Sequence, residues 1–361
     1  MSAANLAAVS PVLVVGALTC SAPAVTRPTL QFGVRVPRER AGAPVIRRER
    51  RAYYWRTAAI GLCCTAVAVA VRGYGSWWLP RIILLPELAA DLGCFWAARR
   101  KIAAVKNADN WFAGLQQTIV ADTNWRTDPP RFPVRWLIPA LAVMAATAAV
   151  GALRYPGLPA HIVTGSGHRV PKSVVSILLV AGQLYFTAVY SGLMLIVHRS
   201  RPDIEAADPA ASTLRYRRFL AAMTRALLTM AALADLGLLL VALPDWQVYR
   251  LPGIGRALPA LPFAAGLLLL AAVAARAGQG GSRLNGNVRG LALAAGTDRD
   301  DDRFWKAGLL YVNRDDPAIV VGARFGVGWT PNFGNPVAWL IIAGILAAWA
   351  GLAAIGAAAG I

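Results

Sequence analysis

Four ionisable residues stand where ionisable residues are costly. Glu87 and Asp91 interrupt an apolar run from Ile82 to Ala98, and Arg225 and Asp235 interrupt another from Phe219 to Leu243. Glu87 and Asp91 are four apart, so on a helix they share one face. In hydrocarbon each carboxylate costs about 2–3 kcal/mol unless it is paired, protonated or hydrated. Three readings follow. The carboxylates pair structurally with Arg225 and Asp235 on another helix, although Arg225 lies near a helix end and can also snorkel outward. The four form a proton or ion path. Alternatively, the segment is a shortened hairpin that leaves Glu87 and Asp91 in a wet vestibule.

Other reactive side chains fall short of a site. His161 and His168 share a loop, but no Cys, Asp or Glu lies between them to complete a metal-ligand set. His198 stands beside Arg199 and Arg201, where a headgroup role is sufficient. The acidic run Asp298, Asp300, Asp301 and Asp302 carries Arg299 and Arg303 with it and reads as a solvated face or a helix start rather than a metal cage. Cys20, Cys63, Cys64 and Cys94 lie in apolar runs and read as packing residues. Gly326-Val327-Gly328 lacks the third glycine and the strand-then-helix setting of a nucleotide loop. With no Ser/His/Asp or Cys/His set, we expect no catalytic residue, no cofactor and no metal, and not an enzyme.

The elements that must position these residues follow from composition. Of 361 residues, 57% are hydrophobic and 15% charged, and 37 Lys and Arg face 18 Asp and Glu. Soluble domains are usually about 25% charged. A helix needs about 20 apolar residues to cross a bilayer, and eight runs come near that length: 4–25, 57–71, 82–98, 136–153, 174–197, 219–243, 259–275 and 336–359. The second is short before Arg72, so 57–98 either crosses twice or forms a re-entrant hairpin. We expect the first helix to be retained, because no basic segment precedes it and Pro23 disfavours cleavage at Ala22-Pro23-Ala24.

Alternate loops differ in charge. Loops 26–56, 97–135, 198–218 and 276–335 hold 29 Lys and Arg, and the three loops between them hold seven. Because cytoplasmic loops are enriched in basic residues, these four are expected inside and both termini outside. The basic residues lie between apolar runs, so the expected partner is a bilayer with anionic headgroups rather than nucleic acid.

Two loops carry more than charge. Residues 29–37, Thr-Leu-Gln-Phe-Gly-Val-Arg-Val-Pro, read as an extended segment before a basic juxtamembrane helix. The last loop opens at Gly278-Gln-Gly-Gly-Ser282, a flexible linker over 276–297. It continues as a compact aromatic and Gly-rich segment over 298–340, ahead of the final helix at 336–359. This segment is either an aromatic belt or a folded module that meets a cytoplasmic protein, with Trp305, Tyr311 and Arg324 as its candidate contacts. Residues 1–275 form the multi-span domain.

The segment also carries a recognisable pattern. Asp302, Trp305-Lys306-x-Gly308, Tyr311-x-Asn313, Asp315-Asp316-Pro317, Arg324-x-Gly326-x-Gly328 and Asn332-Phe333 resemble a small C-terminal domain of unknown function found in bacterial multi-pass membrane proteins. Phe32 to Pro37 resembles the first cytoplasmic loop of the same broad group, which includes sporulation-delay immunity proteins. Leu158, Pro159, Ile162, Lys172 and Ser173 resemble its outer loop in part. The resemblance implies a bacterial cytoplasmic-membrane protein of sensing, regulatory or immunity type that holds a partner through its cytoplasmic loops. A proton- or ion-coupled transporter using Glu87, Asp91, Arg225 and Asp235 is the alternative. The expected fold class is an all-α integral membrane protein with about eight transmembrane helices and a small cytoplasmic module before the last.

Overall fold

Each of the eight apolar runs becomes a helix. The computed structural model describes residues 3–71, 82–113, 130–163, 168–200, 209–249, 258–284 and 302–359. The turn of the expected hairpin at 72–81, the linker from 285 and the acidic residues Asp298, Asp300 and Asp301 lie outside them.

Among the described residues the long helices are α1 (Ala3–Val25), α2 (Pro44–Val71), α3 (Leu84–Ala108), α4 (Ile138–Arg154), α5 (Lys172–Arg199), α6 (Pro209–Asp245), α7 (Ala260–Ala277) and α8 (Pro336–Ala358). Ala- and Leu-rich composition favours them, and α2, α6 and α8 each begin on a proline, whose missing N–H is no loss in a first turn. Among the described residues six helical segments are long and apolar enough to cross a membrane: Pro44–Val71, Val134–Gly157, Lys172–Arg199, Ala211–Asp245, Ala260–Gly281 and Pro336–Ala358. Helix α3 carries Glu87, Asp91 and a basic second half.

One difference concerns α2. The juxtamembrane helix and the second apolar run are one 28-residue helix. The reason is a continuous buried stripe, Ile46, Glu49, Tyr53 and Thr57, at helical spacing through the basic half.

The chain divides into two units. The first comprises Met1–Pro129, Ser200–Phe219 and Ala274–Asn335. Helices α1, α2 and α3 pack on one another within it. On α3 the buried positions Glu87, Asp91, Phe95, Ala98 and Ile102 form one stripe, so the face that carries the carboxylates is also the packing face. Before α2, strands β1 (Leu30–Gln31) and β2 (Val34–Arg35) pair antiparallel around a two-residue turn. Phe32 and Gly33 in that turn both have positive φ, 49° and 70°, as a type I′ hairpin requires. This conformation aims the Phe32 ring inward, against Tyr53, Phe95 and Phe325.

The same unit holds a small β module. Strands β5 (Trp305–Lys306) and β6 (Leu310–Tyr311) form one antiparallel pair, β7 (Val320–Gly322) and β8 (Trp329–Pro331) another, and a Tyr311–Asn332 bridge joins the two.

The second unit comprises Pro130–Arg199, Leu220–Val273 and Pro336–Ile361. A hairpin of β3 (His161–Val163) and β4 (Arg169–Pro171) buries Ile162 and Val170 against Leu158, Val175 and Trp246. Gly151 leaves room for the Trp246 indole, which would lie 3.0 Å from a Cβ there. Arg154 donates from Nε to the Trp246 carbonyl, and Lys172 donates to the carbonyls of Tyr155 and Leu158, so basic side chains satisfy chain ends at the helix termini.

Candidate functional site

The β module is built inward from its aromatic residues. Alternation along a strand places Trp305 and Tyr311 inside, with Lys306 and Leu310 exposed beside them. Trp305 and Tyr311 pack 5.2 Å apart between ring centroids and share a core with Val321. Asn332, fully buried, pins the return of the chain. Its Oδ1 accepts from the backbone N–H of Asn313 and Gly334, and its Nδ2 lies within donating distance of the Asn313, Asp316 and Ala318 carbonyls. The Asp315-Asp316-Pro317 turn is held by Asn313 Oδ1, which accepts from the Asp315 N–H, and by Asp316 Oδ2, which accepts from the Tyr311 hydroxyl. A Cβ at Gly334 would strike the Asn313 backbone, which explains a glycine there.

Residues from all four basic loops meet this module. Arg324 Nη1 donates to the Gly33 carbonyl of the first loop and to Asp302 Oδ1, while its guanidinium lies 4.7 Å from the Trp305 ring centroid. Phe325 enters the aromatic cluster of Phe32, Tyr53 and Phe95. Lys106, at the end of α3, pairs with Asp302 at 2.7 Å. The Trp329 indole N–H donates to the Tyr216 hydroxyl in the first turns of α6. Thr26 Oγ1 accepts from the Gly326 N–H. After α7, Gln279 donates to the Ala323 and Gly328 carbonyls and accepts from the Gly328 N–H.

These contacts revise two expectations. Gly278–Ser282 is a closed turn rather than a flexible opening. Positive φ at Gly278, Gly280 and Gly281 folds the chain back, and buried Gln279 ties it down. Trp305, Tyr311 and Arg324 are buried, at 4%, 0% and 2% exposure, and hold the module together instead of presenting a contact face. The outward positions are Lys306, Leu310, Arg314, Asp315 and Pro317.

Asp302 is the electrostatic centre. Burial alone would raise its carboxyl, but hydrogen bonds and charge from Lys106 and Arg324 hold it below the usual carboxylate range. A lowered folded value makes its contribution full at neutral pH and lost as acid protonates it. Asp302→Asn should therefore weaken the module at pH 7, and the gap from the wild type should close below about pH 4. Acid titration followed by tryptophan emission checks this.

The ionisable residues of the apolar helices are divided between the units. Glu87 and Asp91 lie in the first. Asp91 Oδ2 accepts from the Thr19 hydroxyl at 2.6 Å, and both Glu87 oxygens are buried without a hydrogen-bond partner among the described residues. Glu87 sits where α1 and α2 approach closely, and a Cβ on Gly16 would lie 2.9 Å from its Oε1. Arg225 and Asp235 lie in the second unit. Arg225 stacks over Trp136, and Asp235 Oδ2 accepts from Thr187. Sequence reasoning passed over the neighbours of Asp235, namely Gln183, Thr187 and Thr147. Their signal was available: Gln183 and Thr187 are polar residues four apart in an apolar run.

These observations define the class of protein. It is a multi-helix chain with, among the described residues, six helices long and apolar enough to cross a membrane and a β module on which its basic loops converge. Residues 314–339, which include the Asp-Asp-Pro turn, Arg324 and Asn332, match a family of unknown function (DUF5808). No curated protein and no solved structure matches the chain.

Proposed function

We propose that this is a non-enzymatic multi-pass protein of the bacterial cytoplasmic membrane, of sensing, regulatory or immunity type, which holds a soluble partner through a cap made of its cytoplasmic loops. One observation carries the reading: the four basic loops meet on one folded module. Loops that touch must lie on one side of a bilayer, so the helices between one loop and the next cross an even number of times, whether 57–98 spans twice or forms a re-entrant hairpin. This supports a cap on the inner side, because basic loops stay cytoplasmic, and is compatible with both termini outside. A cap that draws on every loop is suited to report a change among the helices to a bound protein. The resemblance to the sporulation-delay immunity group points the same way.

The test uses the outward face, where substitutions spare the core. Lys306→Glu, Leu310→Ser and Arg314→Glu are combined in the full-length protein and compared with the wild type by crosslinking in native cells. A soluble protein recovered with the wild type and lost with the triple variant is the expected result. Equal recovery, or none with either protein at normal expression, overturns the reading.

The alternative is a proton- or ion-coupled carrier. It is favoured by the buried, unpartnered Glu87 carboxylate beside Asp91. In proteoliposomes under an imposed pH gradient, the carrier reading expects Glu87→Gln with Asp91→Asn to reduce flux at least tenfold. Absence of wild-type flux removes that reading.

A further inference from the structure

The donors and acceptors around Asp235 can be followed one by one. Thr147 on α4 donates its only hydroxyl hydrogen to the Val143 carbonyl at 2.9 Å, so its oxygen can only accept. Gln183 on α5 gives one amide hydrogen to Thr147 Oγ1 at 2.8 Å and the other to the backbone carbonyl of Asp235 at 2.9 Å. Both partners are acceptors, which fixes the orientation of the amide. One turn further on, Thr187 gives its hydrogen to Asp235 Oδ2 at 2.7 Å. Every hydrogen in the cluster is then used, and two oxygens remain buried without a donor, Gln183 Oε1 and Asp235 Oδ1. Gln183, Asp235 and Thr147 are each fully buried. Among the described residues the cluster is short of a donor for these two oxygens.

Other charges do not supply it. On α4, Arg154 is engaged with the carbonyls of Trp246 and Gln247. On α5, Lys172, His198 and Arg199 lie at the ends, Tyr185 donates to the Ile345 carbonyl, and Tyr190 makes no bond to the cluster. On α6, Arg225 and Asp245 each lie ten residues from Asp235, about 15 Å along the axis. Helix α7, which meets α6 at Gly266 and Met230, has no titratable group from Ala260 to Ala275, and α8, which packs on α5, has none. A metal cation would need about six oxygens, and the cluster leaves two. A proton needs only those two.

We propose that Asp235 is a resident proton-binding site: a neutral carboxylic acid whose Oδ1–H is donated to Gln183 Oε1, closing a hydrogen-bonded junction of α4, α5 and α6. The site stands independently of the sensing reading. An apolar setting favours the neutral acid over the carboxylate, and an asparagine imitates that acid, since its oxygen can accept from Thr187 while its N–H donates to Gln183.

Infrared spectroscopy of the full protein in lipid vesicles at pH 7, with Asp235→Asn as the difference partner, tests this. The wild type should show one carboxylic-acid carbonyl band that Asp235→Asn removes and Gln183→Leu shifts. Thermal unfolding should place Asp235→Asn within about 3 °C of the wild type and Asp235→Leu well below it. Absence of the band at pH 7, or an Asp235→Asn protein as unstable as Asp235→Leu, overturns the proposal. Stabilisation of the wild type, but not of Asp235→Asn, by sodium chloride over choline chloride also overturns it, in favour of a metal cation.

Discussion

Arg324→Ala is expected to lower the stability of the module by about 3–5 kcal/mol, the usual range for removing one partner of a buried charge pair. The side chain is 2% exposed and makes three kinds of contact at once: it donates to the Gly33 carbonyl, pairs with Asp302 and lies over the Trp305 ring. Alanine leaves the Gly33 carbonyl short of a donor and takes from Asp302 one of its two ion-pair partners, leaving the pair with Lys106. It also opens a void beside Trp305. Arg324→Lys should recover only part of the loss, because an ammonium group has no planar fork to span two acceptors while lying flat on a ring. Tryptophan-detected unfolding in urea gives the stability. Limited proteolysis in the first loop gives a second readout, since the hairpin at Phe32-Gly33 should be cut faster in Arg324→Ala. An Arg324→Ala protein as stable as the wild type would show that the joint is not held there.

Asn332→Ala should cost a similar amount, about 3–4 kcal/mol, by a different route. No charge is lost. Instead, backbone groups at Asn313, Asp316, Ala318 and Gly334 are left buried and short of partners. Asn332→Asp separates the two halves of this role. It keeps an acceptor for the N–H groups of Asn313 and Gly334 and places a charged oxygen against three carbonyls, so it should be at least as damaging as alanine at pH 7. The same unfolding assay ranks the variants. If Asn332→Asp proves the milder change, the two N–H bonds matter more than the three carbonyl contacts.

Much of this architecture was legible in the amino-acid order. The apolar runs locate the helices, because length and apolar content are read directly, and the pattern from Asp302 to Phe333 marks the module. The directions of its side chains were not legible. Trp305 and Tyr311 sit in strands of two residues, too short for a period of two to be read, and aromatic residues serve equally in a core or at an interface. The basic half of α2 hid its packing face, since Ile46 and Tyr53 are few among arginines. Nothing in the order of residues pairs Gly33 with Arg324, which lie 291 positions apart. The carboxylates at Glu87 and Asp91 were visible as anomalies, whereas the group that meets one oxygen of Asp91 is Thr19, an uncharged residue on α1.

The convergence of the loops on residues 302–335 has a consequence for synthesis. Synthesis runs from the N-terminal side, so Phe32, Tyr53, Phe95 and Lys106 emerge about two hundred residues or more before Phe325 and Asp302, their partners. Until then the aromatic cluster is incomplete, and the segments that feed it have only one another. A chain arrested before residue 302 would present that unfinished apolar surface beside basic loops, as chaperones and proteases recognise it.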